Sequence, residues 1–133
     1  MDPSERLNGI ADALDSIPRE SVVLVEGRKD VAALRALGVE SDMFTVQVSG
    51  GPTRAAEFLW ESGKAAVILT DWDNRGNRLA DDLVKSMDSL GVHYDVRIRE
   101  KISFLARPYC KDVESLDSVM ALLKSKIDLH PDI

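Results

Sequence analysis

Residues 65–76 read AAVILTDWDNRG. The first half is a short apolar run rich in β-branched residues, and the second half places two carboxylates one residue apart before Asn, Arg and Gly, which end strands and form turns. Because polar and apolar residues do not alternate between Ala65 and Leu69, the run predicts a strand covered on both faces, as in a parallel sheet between helices. Ligand sites in such sheets lie beyond the carboxyl ends of the strands, so Asp71 and Asp73 are candidates for one.

A second apolar run repeats this design closer to the start of the chain. Residues 22–25 read VVLV and stop at an acid, Glu26, which Gly27 follows. This pattern predicts another buried strand that ends at a carboxylate. We expect Gly27 and Gly76 to let the backbone turn tightly beside the acids, although glycine also ends many strands for purely conformational reasons.

The remaining periodicity predicts helices and strands in alternation. The predicted order is helix 4–16, strand 22–25, helix 30–37, strand 43–48, helix 53–62 with Ala56, Leu59 and Trp60 as its buried stripe, strand 65–71, helix 77–90, strand 94–98, a basic connection over 97–111, helix 115–126 and a tail over 127–133. Such alternation favours an α/β fold with a four-stranded parallel sheet and right-handed crossovers. In the strand order 2-1-3-4, Glu26 would lie beside Asp71 and Asp73.

Length and composition favour one compact unit and exclude several kinds of site. The chain has 133 residues, of which 44% are hydrophobic, which is enough for the core of a single domain over 1–133. Cys110 is the only cysteine, so we expect neither an intramolecular disulfide nor a cysteine-based zinc site. With His93 and His130 as the only histidines, transition-metal clusters are not expected either.

No targeting or membrane signal is evident. Residues 1–6 read MDPSER, and no apolar run approaches the length needed to span a bilayer. We therefore expect a cytoplasmic protein with no membrane partner.

The charge is unevenly distributed along the chain. The formal net charge is −6, yet residues 97–111 alone carry +4, so the rest carries −10. An acidic protein is poorly suited to grip nucleic acid by bulk attraction. The basic segment, with Phe104 and Tyr109 interleaved, could hold RNA or DNA by charge and stacking. A solvated connection is the equally open interpretation of that segment.

Three converging carboxylates without a neighbouring His or Cys suit a hard cation. Glu26, Asp71 and Asp73 offer the oxygen ligands that Mg²⁺ prefers, and Mg²⁺ typically takes one or two carboxylates together with substrate phosphate oxygens. Two ions about 3.5–4 Å apart would stabilise the attacking and leaving oxygens of an in-line displacement, with Mn²⁺ as a substitute. Acids at strand ends are, however, also common turn and helix-cap residues.

The two acidic motifs together resemble a known family. Residues 25–30 read VEGRKD and residues 71–76 read DWDNRG, so that Asp71 comes 45 positions after Glu26. This pair resembles the Toprim domain of topoisomerases, bacterial-type primases, some nucleases and recombination proteins. The resemblance covers residues 20–100 and is strongest to small stand-alone Toprim proteins of archaea and bacteria, and more distant to a Toprim ribonuclease that matures ribosomal RNA. It implies a Rossmann-like Toprim fold, here with extra N- and C-terminal helices.

The resemblance also implies roles for the acids. Glu26 would act as general acid or base in nucleotidyl transfer or phosphodiester cleavage and would also touch metal, while Asp71 and Asp73 would coordinate Mg²⁺. Asp30 would assist these acids or serve as the N-cap of its helix, which is the favoured interpretation.

Trp72 is expected to pack inside the protein rather than stack on a base, because in an extended backbone it points away from the side of Asp71 and Asp73.

Basic residues close to the acids, or within the basic segment, are candidates for phosphate contacts, although loop cations are most often simply solvated. These candidates are Arg28, Lys29, Arg75, Arg78, Arg97 and Arg99.

Three functions follow as hypotheses. The first is a Mg²⁺-dependent enzyme, a nuclease or nucleotidyl transferase, that processes phosphodiesters of RNA or DNA. The second is a non-catalytic module that binds metal and nucleic acid within a larger RNA- or DNA-processing complex. The third and weaker one is a small-molecule phosphatase, for which the sequence identifies no Lys partner to an Asp nucleophile. The sequence leaves protein partners open, a homodimer among them.

Overall fold

The computed structural model describes residues 1–129, and within that range it contains six helices and four strands. In chain order these are α1 (Pro3–Asp15), β1 (Val22–Val25), α2 (Arg28–Ala36), β2 (Asp42–Thr45), α3 (Gly51–Ser62), β3 (Ala66–Ile68), α4 (Asn74–Leu90), β4 (Tyr94–Asp95), α5 (Arg97–Ala106) and α6 (Leu116–Leu129). The predicted tail reached from 127 to 133. Its first three residues belong to α6, and residues 130–133 lie outside the described part of the chain.

The four strands form one sheet in the order β2-β1-β3-β4, and all three pairings are parallel. This confirms the predicted fold class and strand order. The two central strands, β1 and β3, come from the two apolar runs, and Leu24 of β1 is in register with Ile68 of β3. Their carboxyl ends are therefore neighbours at one edge of the sheet.

The sheet is covered on both faces, as the unbroken apolar runs predicted. Alternate residues of a strand face opposite sides. Val23 and Val25 accordingly pack with residues of α1, α5 and α6, whereas Val22 and Leu24 pack with residues of α3 and α4. β1 is thus buried on both sides and lies at the centre of the hydrophobic core. Each of its buried side chains contributes roughly 1.5–3 kcal/mol to the free energy of unfolding.

The predicted basic connection over residues 97–111 is wrong for most of its length, because residues 97–106 form α5. The strand predicted over 94–98 is correspondingly reduced to the two residues of β4. The Asp95 carboxylate accepts a hydrogen bond from Ile98 N at 3.0 Å and so turns the chain out of the strand. Ile98, Ile102 and Leu105 then share one side of the helix and pack into the core, a spacing that the apparent alternation of 94–98 concealed.

Several helices begin earlier than predicted, because residues assigned to turns form their first turns. α1 begins at Pro3, with Asp2 as its N-cap. α2 begins at Arg28, α3 at Gly51 with a proline in its first turn, and α4 at Asn74. Proline is well tolerated there since the first N–H groups of a helix have no intrahelical partner. The basic candidates Arg28, Lys29, Arg75 and Arg78 consequently lie at the starts of helices rather than in open loops.

The two tryptophans behave differently. Trp72 is buried, and its indole N–H donates to the carbonyl oxygen of Cys110 at 2.8 Å, which confirms packing rather than an exposed stacking surface. The predicted buried stripe of α3 is right for Ala56 and Leu59 but wrong for Trp60, which is 64% exposed. Ala55 is buried instead, because the face of α3 that packs with α4 consists of Ala55, Ala56 and Leu59.

Helix α4 starts immediately beyond the acidic motif and approaches it closely. The Asp73 carboxylate caps α4 by accepting a hydrogen bond from Gly76 N at 2.7 Å, and the buried hydroxyl of Thr70 donates to the Gly76 carbonyl oxygen at 2.8 Å. A Cβ atom at position 76 would lie 1.9 Å from the Asp71 carbonyl oxygen, so only glycine fits there. By contrast, a Cβ atom at Gly27 would meet nothing within 4 Å.

Within residues 1–129, no helix has the length and apolar character required to cross a bilayer.

We expect Gly76→Ala to lower the free energy of unfolding by about 3 kcal/mol or more, because the backbone must move to relieve the clash with Asp71. Gly27→Ala is the matched control at the other motif glycine and should cost no more than about 1 kcal/mol. Urea denaturation of both variants provides the comparison. Equal stability of the two variants would contradict the close approach of α4 to the acidic loop.

Candidate functional site

The structure brings Glu26 and Asp71 together at the carboxyl edge of the sheet. Glu26 follows β1 directly and is only 3% exposed, and its Oε2 atom accepts a hydrogen bond from Asp71 N at 2.9 Å. The pairing of β1 with β3 fixes this contact, because it aligns the ends of the two strands. Two of the three acids predicted from the sequence thus meet across 45 positions of the chain.

A cleft of about 210 Å³ opens at this point and contains both kinds of charge. Its acidic residues are Glu26, Asp30, Asp71 and Glu114. Its basic residues are Arg28, Lys29 and Arg75, which are exposed, and Gly27 and Gln47 complete the lining. Four carboxylates therefore face one small space that solvent cations and anions can reach.

Hydrogen bonds hold the Glu26 carboxylate in place. Besides the Asp71 N–H, it accepts from Gln47 Nε2 at 3.3 Å and from the Arg75 guanidinium at 3.4 Å. Gln47 reaches it because the chain continues to pair with β1 after β2 has ended, with Gln47 N donating to the Glu26 carbonyl oxygen at 3.2 Å. The Arg75 guanidinium is largely exposed and so remains accessible to a ligand.

Asp71 is fixed by groups from two later segments. Its Oδ1 atom accepts a hydrogen bond from Val113 N at 2.9 Å, and its carbonyl oxygen accepts from the Arg99 guanidinium at 2.6 Å. Burial raises the pKa of the Asp71 carboxyl to about 7; the Val113 N–H lowers it in part, and the neighbouring Glu26 carboxylate adds to the increase. An acid that titrates near neutrality in a cleft is typical of functional sites.

Asp73 is not brought into the cleft. Its carboxylate caps α4, as described above, and it is absent from the residues that line the cleft. Across residues 1–129, no group of three or more His, Cys, Asp or Glu side chains is arranged to hold a metal ion. The predicted convergence of Glu26, Asp71 and Asp73 is thus present for the first two residues only, because the spacing that follows β3 places Asp73 at a helix start.

Asp30 is not the N-cap of α2, as the favoured interpretation had it, but its carboxylate helps to cap this helix from the third helical position. Gly27 is the N-cap of α2, and Asp30 stands three residues further along. Its Oδ2 atom accepts hydrogen bonds from Gly27 N at 3.0 Å and Glu26 N at 3.2 Å. Burial, together with the nearby Glu26 carboxylate, raises the pKa of Asp30, although the bond from Gly27 lowers it.

The six basic candidates occupy three kinds of position: the lining of the cleft, the exposed surface away from it and, for Arg99 alone, the inside of the acidic loop. Arg28, Lys29 and Arg75 line the cleft. Arg78 on α4 and Arg97 on α5 are exposed and do not line it.

Arg99 has a structural role that its sequence position did not reveal. Its guanidinium donates to the carbonyl oxygens of Thr70 and Asp71 at 2.9 and 2.6 Å and to the Asn77 side chain at 2.7 Å. These bonds clamp the segment that carries Asp71. Since two of the acceptors are backbone atoms, the sequence contains no residue type that could have indicated them.

The segment after α5 supplies the parts of the site that the sequence did not predict. The backbone N–H of Trp72 donates to the Lys111 carbonyl oxygen at 3.0 Å, and its indole N–H donates to the Cys110 carbonyl oxygen at 2.8 Å. The segment therefore lies against the acidic loop. This contact brings the Val113 N–H to Asp71 and Glu114 to the cleft. The one sequence feature that could have indicated a site role for Glu114 is its position just after the basic segment.

The fold and site define the class: an α/β protein whose parallel sheet, ordered 2-1-3-4, carries an acidic cleft at the carboxyl ends of its two central strands. The chain belongs to the UPF0292 family. It is 33% identical over 126 residues to a UPF0292 protein of Methanosarcina barkeri, covering 92% of this chain and 87% of that protein. A UPF0292 protein of Methanocaldococcus jannaschii is 30% identical over 114 residues, covering 86% of this chain and 89% of the relative.

A solved structure has a similar fold. It is described as a putative protein from Aquifex aeolicus, with a TM-score of 0.61 and 25% sequence identity, and the match covers 84% of this chain and 95% of that one. No protein-family profile matches the chain.

The raised pKa of Asp71 predicts how stability depends on pH in the absence of metal. Between about pH 4 and pH 7 the folded carboxyl retains a proton that the unfolded chain has released, so this group makes the protein less stable as pH rises through that range. Asp71→Asn removes the charge and retains an acceptor for Val113 N–H. It should match the wild type near pH 4 and exceed its free energy of unfolding by roughly 1–2 kcal/mol at pH 8, after allowance for partial solvent screening.

Urea denaturation in EDTA at both pH values measures this difference, and Asp82→Asn, an exposed site on α4, is the control. An Asp71→Asn variant that is no more stable than the wild type at pH 8 would show that the Asp71 charge is not destabilising.

Proposed function

We propose that this protein is a Mg²⁺-dependent enzyme that processes phosphodiester bonds of a nucleic acid, by hydrolysis or nucleotidyl transfer, in the manner of Toprim domains. The observation that carries the proposal is the contact between the Glu26 carboxylate and Asp71 N, which unites the acids of the two Toprim-like motifs in one cleft. The parallel sheet of order 2-1-3-4 supports it, since ligand sites in such folds lie beyond the carboxyl ends of the strands.

The donor set of the cleft suits a hard cation. Its potential ligands are carboxylate oxygens, with no His or Cys among the lining residues. Mg²⁺ needs only one or two carboxylates when waters and substrate phosphates complete its shell, so Asp71 and Glu26 would suffice to hold it. When bound, the ion would neutralise the charge that develops on the phosphate oxygens. Asp73 would join these ligands only by releasing its cap on α4.

The cationic rim of the cleft suits the substrate. Arg28, Lys29 and Arg75 surround the acids and are exposed, so phosphate groups flanking the reacting bond can pair with them. Arg28 and Lys29 also stand in the first turn of α2, where the helix dipole favours an anion. Acids at the centre with cations around them would orient a phosphodiester over the carboxylates.

Glu26 is the group best placed to move a proton. Its burial and its three hydrogen bonds fix the carboxylate, and the Oε1 atom is engaged only by two long contacts from Gln47 and Arg75. A water or hydroxyl group that displaced either contact would lie within reach of Oε1. General acid or base catalysis requires this kind of positioned carboxylate.

A non-catalytic module that binds metal and nucleic acid is the second candidate function. The observation that favours it is that Glu26, Asp71 and Asp73 each accept a hydrogen bond from a backbone N–H, so each acid has a structural role without any chemistry. Such a module would bind RNA or DNA in a salt-sensitive manner and turn over nothing.

Glu26→Gln separates the two candidates. Its amide oxygen can still accept from Asp71 N, so the fold should persist, whereas proton transfer is lost. We expect metal-dependent cleavage or transfer on a panel of RNA and DNA substrates to fall at least about 100-fold in Glu26→Gln, while Mg²⁺ binding weakens less than activity because the amide oxygen can still ligate the ion; Asp71→Asn should lose both. Glu61→Gln, an exposed site on α3, is the control. Unchanged turnover in Glu26→Gln would remove Glu26 from the mechanism, and no turnover by the wild type would favour the binding module.

Asp73→Asn tests whether Asp73 serves the metal or only the helix. Asparagine is as good an N-cap as aspartate, so the free energy of unfolding should change by less than about 1 kcal/mol. We expect the apparent Mg²⁺ affinity in the activity assay to drop at least about 10-fold if the acid ligates the ion in the working complex. Wild-type metal dependence in this variant would restrict Asp73 to capping α4.

A further inference from the structure

The outward side of α5 presents an aromatic ring among cations. Arg97, Lys101, Phe104 and Arg107 are spaced by four, three and three residues, which places them along one side of the helix and its C-cap. All four are exposed, and Phe104 is 65% exposed, the most of any phenylalanine or tryptophan in the described chain. We call these four residues the α5 face.

A cleft of about 360 Å³ adjoins the C-terminal end of the α5 face. Phe104, Arg107 and Pro108 form one side, and Met1 and Arg6 of the α1 region form the other. The Arg6 guanidinium donates to the Leu105 carbonyl oxygen and lies 5.6 Å from the Tyr109 ring centroid, so its charge is already held in position. The cleft thus combines a flat apolar wall with two guanidinium groups.

The charge of this surface contrasts with that of the whole protein. Arg97, Lys101 and Arg107 form no ion pair with any residue between 1 and 129, and Glu100 is the one acid on the exposed side of α5. The chain as a whole has a formal charge of −6. A local concentration of unneutralised cations on an acidic protein attracts a polyanion to that part of its surface.

We propose that the α5 face and its adjoining cleft bind single-stranded nucleic acid, with one base stacked on Phe104 and the flanking phosphates paired with Arg107, Lys101 and Arg97. This inference rests on the proposed function and specifies its substrate as unpaired RNA or DNA. The exposed ring decides in favour of a single strand. Unpaired bases stack on aromatic side chains, whereas the bases of a duplex stack on each other.

Helix α5 links the α5 face to the acidic site through its other side. Arg99, on the opposite side of the same helix, clamps the carbonyl oxygens of Thr70 and Asp71. The segment that follows α5 returns to the site and donates the Val113 N–H to Asp71. A strand bound along α5 is therefore held by the element that positions the acidic loop.

Fluorescence anisotropy with labelled 12-nucleotide oligo(dT) and oligo(U), in EDTA so that no cleavage intervenes, tests the proposal. Phe104→Ala should weaken binding about 5- to 100-fold, the usual range for the loss of one stacked base. The double variant Lys101→Gln/Arg107→Gln should reduce the slope of log K against log salt by about 1.4, since each single-strand phosphate contact contributes about 0.7. The oligo(dT) and oligo(U) arms identify which nucleic acid is preferred.

Matched controls keep the test specific. Trp60→Ala removes another exposed aromatic ring, on α3, and Lys85→Gln removes an exposed cation, on α4; both should bind as the wild type does. A duplex of the same length, or poly-glutamate, that bound as tightly as the single strand would overturn the proposal in favour of a general anion surface. Wild-type binding by Phe104→Ala would overturn it directly.

The outcome is distinguishable from that of the proposed function. Loss of binding in Phe104→Ala without turnover by any form of the protein would uphold the α5 face and reject the enzyme. Turnover that depends on Glu26 but has the same KM in Phe104→Ala would uphold the enzyme and reject the α5 face.

Discussion

The hydrogen bond from Asp71 N to the Glu26 carboxylate is the interaction around which this molecule is built. It exists because two apolar segments pair as the central parallel strands and end side by side. It also stabilises the buried Glu26 carboxylate, which the long ion pair with the solvent-exposed Arg75 neutralises only in part. Two further constraints act on the same residue, since the Arg99 guanidinium donates to the Asp71 carbonyl oxygen and the Val113 N–H donates to the Asp71 carboxylate.

The arrangement concentrates negative charge at a cost to stability. Burying ionised groups is unfavourable unless hydrogen bonds or counter-charges compensate, and here backbone N–H groups provide most of the compensation. The raised pKa values of Asp71 and Asp30 show that this compensation is incomplete. A cation in the cleft would complete it, which is why we regard the acids as a binding site and not only as turn residues.

The sequence predicted the fold well where burial alone decides structure. The unbroken apolar runs before Glu26 and Asp71 implied strands covered on both faces, and the alternation with helices implied a parallel sheet. Prediction failed where a single hydrogen bond or a tertiary contact decides. The Asp95 carboxylate accepts the hydrogen bond at which β4 ends and α5 begins. Asp73, two residues after Asp71, caps α4 instead of entering the cleft. Glu114 reaches the cleft only through packing of its segment on Trp72, which no local pattern records.

The central claim is that Glu26 and Asp71 share a divalent cation. The most direct measurement is anomalous diffraction from crystals grown with Mn²⁺. The account predicts one strong anomalous peak within about 2.0–2.3 Å of carboxylate oxygens of both residues. A peak elsewhere on the protein, or none at saturating Mn²⁺ with a phosphate ligand present, would contradict it.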